Sequence, residues 1–88
     1  WPHIHFEVYP SLDQATTSTS KLRTTQLALP QEASSAVYAT AGYEASIDNM
    51  AATSLENDNV FSDGYSLQLA KVTGSVTDGY TANLTVPV

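Results

Sequence analysis

Cysteine is absent from this chain of 88 residues, and histidine occurs only twice. Without cysteine there is no disulfide to staple a small domain and no thiolate to hold a metal, and the redox compartment is left undetermined. Cationic side chains are scarce as well. Three Lys and Arg stand against nine Asp and Glu, a formal net charge of −6. A phosphate backbone or an anionic bilayer needs clustered Lys and Arg, so neither nucleic acid nor a membrane is expected as a partner. Long apolar runs are missing, and nothing reads as a bilayer span. So is a leader peptide. Trp1 opens directly on a strand pattern with no polar lead-in, so preceding sequence is expected to be absent.

What is present suits one small domain. Hydrophobic residues make up 42% of the chain, an ordinary globular share that argues against disorder. From His3 to Tyr9 the pattern alternates strictly. Ile4, Phe6 and Val8 share one face, while His3, His5, Glu7 and Tyr9 share the other. That is a half-buried strand, with Ile4, Phe6 and Val8 expected to pack into a core. Pro10 ends it. The Ser- and Thr-rich stretch 11–20 reads as a loop.

Residues 22–29 form a second strand candidate, stopped by Pro30. Pro30 and Glu32 then suit the start of a short helix over 31–40, with Gly42 at its end. Residues 45–55 are ambiguous between loop and a helical turn or two. Residues 56–64 carry turn chemistry in Asn57, Asp58, Asn59 and Asp63-Gly64. Alternation returns over 65–73, with Leu67 and Leu69 inward. Asp78-Gly79 marks a turn, and 80–86 is the last strand. The last two strands suit a hairpin or a wider Greek-key link. The fold class expected is mainly β, part of an antiparallel β-sandwich with one or two short helical segments.

The chemistry centres on His3 and His5. Residues i and i+2 of a strand lie on one face, about 6.5–7 Å apart at Cα. Two imidazoles so placed can converge on one metal at about 2.1 Å each. Imidazole suits Zn, Cu, Fe and Ni, so the pair alone does not name the ion. The plainer alternative is two exposed or hydrogen-bonded histidines on a strand face. Glu7 continues that face as a solvent-facing group or a support for the histidines. A cupin would place its Glu further on and supply a later His, and no histidine follows His5. A small zinc protein using His3, His5 and a carboxylate is a further reading.

Other motifs fail on spacing. There is no nucleophile elbow, phosphate loop or dinucleotide fingerprint. Residues 57–64 lack the acid and glycine spacing of an EF-hand. Asn83-Leu84-Thr85 is a sequon by pattern only, set inside an expected strand.

Pro2-His3-Ile4-His5-Phe6 resembles the His-x-His segment of the intradiol aromatic-ring dioxygenases. Leu22-Arg23-Thr24-Thr25-Gln26-Leu27 resembles the Thr-x-Gln strand that follows it in that family. Asp63-Gly64-Tyr65, with Leu67 and Leu69, resembles the closing part of a bacterial branch. The likeness spans most of the chain, although the loop over 11–20 is longer than usual. It implies that residues 1–88 are the C-terminal portion of a single catalytic domain whose N-terminal part is missing. By the same resemblance, non-haem Fe(III) would be held by two His and two Tyr. His3 and His5 match the His ligands. Gln26 matches a pocket glutamine, and the match implies a catalytic role in orienting substrate.

The family's two Tyr ligands precede its His pair, as does an Arg about three residues before the first His. All five tyrosines of this chain follow His5, and none matches a Tyr ligand. The implied partners are a catechol-type substrate, O2 and the missing N-terminal part. The alternative is a β-sandwich binding module of the same fold without iron chemistry. Localisation stays open between cytoplasm and secretion.

Overall fold

Strict alternation at the start of the chain produces β1, His3–Val8, which pairs antiparallel with β2, Arg23–Ala28. His5 stands opposite Gln26, and His3 opposite Ala28. The computed structural model describes residues 1–16 and 18–88. Between the two strands lie short 3-10 turns at Asp13–Thr16 and Ser18–Ser20. Thr17, part of the expected loop, lies outside the described residues.

Pro30 supplies the extended residue before α1, Gln31–Tyr38, with Glu32 in its first turn. Gly42, at φ 98°, reverses the chain, as glycine does readily. The ambiguous segment resolves into a second helix, α2, Glu44–Ala51. Tyr38 and Tyr43 stack at 5.6 Å across the junction.

A strand expected over 65–73 forms only in its last part. The amides of Gln68 and Leu69 both donate to the Tyr65 carbonyl, a turn rather than an extended ladder. Leu67, expected inward, is 87% exposed. Extended structure begins with β3, Lys71–Ser75, and continues through a tight hairpin into β4, Gly79–Asn83. The Asp78-Gly79 turn is where the sequence places it. Asp78 N–H donates to Ser75 Oγ at 3.1 Å, and Gly79 takes φ 86°. β4 ends three residues before the expected limit.

Among the described residues the architecture is four strands in two antiparallel two-stranded sheets, with two short α-helices. One isolated parallel bridge, Ala28 to Leu69, ties β2 to the segment just before β3. The Ala28 amide donates to Gln68 O, and the Ala70 amide donates to Ala28 O. Among the described residues the buried apolar ones are Ala28, Phe61 and Ala70. Phe61 falls in the stretch expected to be a polar loop. Asp58 caps the short 3-10 turn Asn59–Phe61 by accepting the Val60 amide at 2.9 Å. That turn brings the Phe61 ring to His3 of β1.

The expected core face of β1 is only partly covered. Phe6 and Val8 are half-buried, but Ile4 is 50% exposed. β1 and β2 pack chiefly on each other, and neither sheet presses broadly on the other.

Candidate functional site: the histidine face of the first strand

His3 and His5 lie on one face of β1, as the spacing requires. Different contacts hold each ring. His3 Nδ1 lies 2.7 Å from the Trp1 carbonyl. A carbonyl can only accept, so Nδ1 carries a proton, and in the neutral ring Nε2 holds the lone pair. The ring stands edge-on to Phe61 at 5.8 Å and 87°. Two restraints thus fix the ring and leave Nε2 as the nitrogen that could bind a metal.

His5 is bound on both sides. Gln26 Nε2 sits 2.8 Å from His5 Nδ1. With the amide as donor, Nδ1 accepts and the proton rests on Nε2, which faces Glu7 Oε1 at 3.3 Å. Tyr9 donates its hydroxyl to Glu7 Oε2 at 2.5 Å, and Lys21 Nζ stands 3.6 Å from Glu7 Oε1. The Tyr9 hydrogen bond, then that of His5, holds the Glu7 carboxyl below its ordinary range. The same bond raises the Tyr9 phenol.

Both readings of Glu7 find support, since it faces solvent and also touches His5. Gln26 stands against a histidine and not in an enclosed pocket. Its Oε1 is buried without a partner among the described residues. Tyr9 and Lys21 complete the network, and the motif alone points to neither. The period-two pattern places Tyr9 on the histidine face, but the approach of Lys21 depends on the loop.

Among the described residues, no three His, Asp or Glu side chains gather as a metal-holding group. That gives the zinc reading with a carboxylate no support. Clefts of about 390 and 610 Å³ open elsewhere, one beside Thr24, Gln68 and Leu84 and the other beside Trp1, Met50 and Tyr65. Neither includes His3 or His5, whose face is open to solvent. Among the described residues no helix is long and apolar enough to cross a membrane. No protein-family model, curated protein or solved structure matches this chain.

Proposed function

We propose that the chain is the C-terminal part of a non-haem iron(III) intradiol dioxygenase, with His3 and His5 as two of the metal ligands. The observation that carries this is the shared display of both imidazoles on an exposed strand face, each ring oriented through Nδ1. Metal-binding histidines typically donate their second ring N–H to an oxygen, as His3 does to the Trp1 carbonyl, whereas His5 accepts at Nδ1 from Gln26.

The donor set fits half of such a site. Two neutral imidazoles leave a ferric ion short of anionic oxygen. Tyr9 and Tyr65 do not make up the difference. Tyr9 donates to Glu7 and Tyr65 to Glu56, and those carboxylates push both phenols up. A metal-bound phenolate needs the opposite shift. The two Tyr ligands and the Arg are therefore assigned to sequence before Trp1, and the β1–β2 sheet to one part of a larger β-sandwich.

Iron(III) in such a site supplies activation of a catechol toward O2, with ring opening between the hydroxylated carbons to a muconate-type diacid. This chain's residues bind and orient. His3 offers Nε2 directly. For His5 to do so, its single proton must sit on Nδ1, and the Gln26 amide must then turn its oxygen to accept it. Gln26 is a positioning residue in that arrangement, and its reach to substrate passes through His5.

The test is iron content and ring cleavage in the whole protein carrying this chain. Wild type should hold iron and cleave catechol, and His5→Ala should do neither. Equal iron in both would refute the ligand assignment. No iron in either, with catechol still bound, would favour the binding module.

A further inference from the structure

His5 is flanked by two side chains of different capability. Gln26 lies 2.8 Å from Nδ1, and Glu7 Oε1 lies 3.3 Å from Nε2. An amide can donate through its nitrogen or accept through its oxygen, whereas an ionised carboxylate only accepts. Gln26 therefore suits either tautomer of a neutral ring, by turning its amide. Its Oε1 is buried without a partner among the described residues, so the turn exchanges one unpartnered amide atom for the other. Glu7 suits one tautomer alone, that with the proton on Nε2. With the proton on Nδ1, the Nε2 lone pair would face a carboxylate oxygen with no hydrogen between them.

Glu7 is itself held. Tyr9 donates to Oε2 at 2.5 Å, and Lys21 Nζ stands 3.6 Å from Oε1. The carboxyl lies below its ordinary range and so stays ionised at neutral pH. At His3 the matching partner is the Trp1 carbonyl, on Nδ1 at 2.7 Å. In their neutral forms the two histidines of one strand thus carry opposite tautomers. His3 has its lone pair on Nε2, and His5 has its proton there. The contact of Glu7 with His5 is also the longest of these hydrogen bonds, just beyond the usual N–H···O range of about 2.7–3.2 Å.

We propose that Glu7 is a latch on His5: it keeps the proton on Nε2 and so competes with a metal for that nitrogen, while His3 offers its own Nε2 without a latch. The latch rests on the reading of His3 and His5 as metal ligands, and Glu7 is a positioning residue in it. Release conserves the proton. It passes by exchange with water from Nε2 to Nδ1, the Gln26 oxygen turns to accept it, and Nε2 takes the metal. The ring stays neutral throughout. The freed carboxylate keeps Tyr9 and Lys21, so opening the latch breaks one long hydrogen bond and leaves the rest of the network in place.

The test uses the 88-residue chain, ¹⁵N-labelled, at a pH well above the ordinary histidine value of about 6.5. Long-range ¹H–¹⁵N correlation tells a protonated ring nitrogen from a bare one. Wild type should show His3 protonated on Nδ1 and His5 on Nε2. Glu7→Ala should let the Nδ1-protonated form of His5 appear and leave His3 unchanged, whereas Tyr9→Phe, which keeps the carboxylate, should leave both unchanged. Zn²⁺ is the metal probe. Glu7→Ala combined with Lys21→Ala removes one charge of each sign, so the field at the rings changes little. That double variant should bind Zn²⁺ up to about tenfold more tightly than wild type, as loss of one competing hydrogen bond would. If Glu7→Ala failed to fold, the wild-type tautomers and Tyr9→Phe would still decide. Neither readout needs iron or sequence before Trp1. A released tautomer and tighter zinc beside a whole protein that holds no iron would leave the latch standing and sink the dioxygenase reading. A wild-type His5 protonated on Nδ1, a His5 unmoved in folded Glu7→Ala, or zinc bound no more tightly by the double variant would each overturn the latch.

Discussion

Glu7 joins a line of polar contacts running from Gln26 through His5 to Tyr9. Its folded acidity is greater than that of a free glutamate, chiefly because Tyr9 donates to it. A carboxyl depressed in the folded state contributes stability above its unfolded value and loses it as pH falls through the folded one. Acidification below the ordinary glutamate range should therefore break the Tyr9 and His5 contacts together. Tyr9→Phe should return Glu7 toward its ordinary value, seen by a carboxyl-detected NMR titration. An unmoved Glu7 would mean that Tyr9 is not its main partner. If His5 is a ligand as proposed, Gln26→Ala should weaken iron binding in the whole protein about 10–100-fold without abolishing it, the usual effect of losing a support behind a ligand. A metal titration checks this, and unchanged affinity would return Gln26 to a role with substrate alone. At this scale the sequence is informative about faces. Period two places His3, His5, Glu7 and Tyr9 together. It does not show that Gln26 lies opposite His5, because that register depends on where β2 begins after an irregular loop.

Short elements with small buried surfaces make this fold sensitive to a few positions. Phe61 is 2% exposed, the largest side chain so fully buried. Phe61→Ala should cost about 3–5 kcal/mol, comparable to all that a core of this size supplies. The variant should lose cooperative thermal unfolding. Phe6→Ala should cost less, because Phe6 is half-buried. Gly74 is the second such position. Its φ is 116°, and a Cβ there would meet the Gly79 carbonyl oxygen at 2.1 Å. Gly42 also has positive φ, but a Cβ there would meet nothing within 4 Å. Gly42→Ala should cost the backbone strain alone, ~1–2 kcal/mol, and Gly74→Ala clearly more, because β3 and β4 must separate. Thermal melts of the two variants measure the difference. Strands β1 and β2, helix α1 and the hairpin turn are legible from alternation, Pro30 and Asp78-Gly79. Phe61 is not, since its burial depends on the Asp58 cap and not on periodicity. The segment around Leu67 misleads because its alternation matches a strand, while Gly64, at φ 109°, and the Tyr65 carbonyl turn the chain.

Taken whole, the molecule is open for its length. Its Cα radius of gyration is 15.0 Å, whereas a compact chain of this size would have about 12 Å. Its accessible surface is 6150 Å², against roughly 5000 Å² expected for a folded monomer of the same mass. The excess matches the half-exposed Ile4 and the exposed Leu22, Ile47 and Leu69, large apolar groups that a finished core would take up. The same openness bears on the histidine face. Two imidazoles without a third ligand form no closed cage, so a metal bound there should be weak and quickly exchanged. Tyr9 and Tyr65 are held protonated by carboxylates and so are poorly placed to become phenolates on iron. The 88-residue chain alone, given ferric iron and catechol, should therefore develop no tyrosinate-to-iron absorption and release no muconate. On the proposed assignment, a longer chain that supplies two Tyr and an Arg ahead of Trp1 should show both, together with a smaller radius of gyration per residue by solution scattering. A coloured, ring-cleaving chain of this length would place the phenolate ligands within it and overturn both the split ligand set and the reading of this chain as one part of a larger domain.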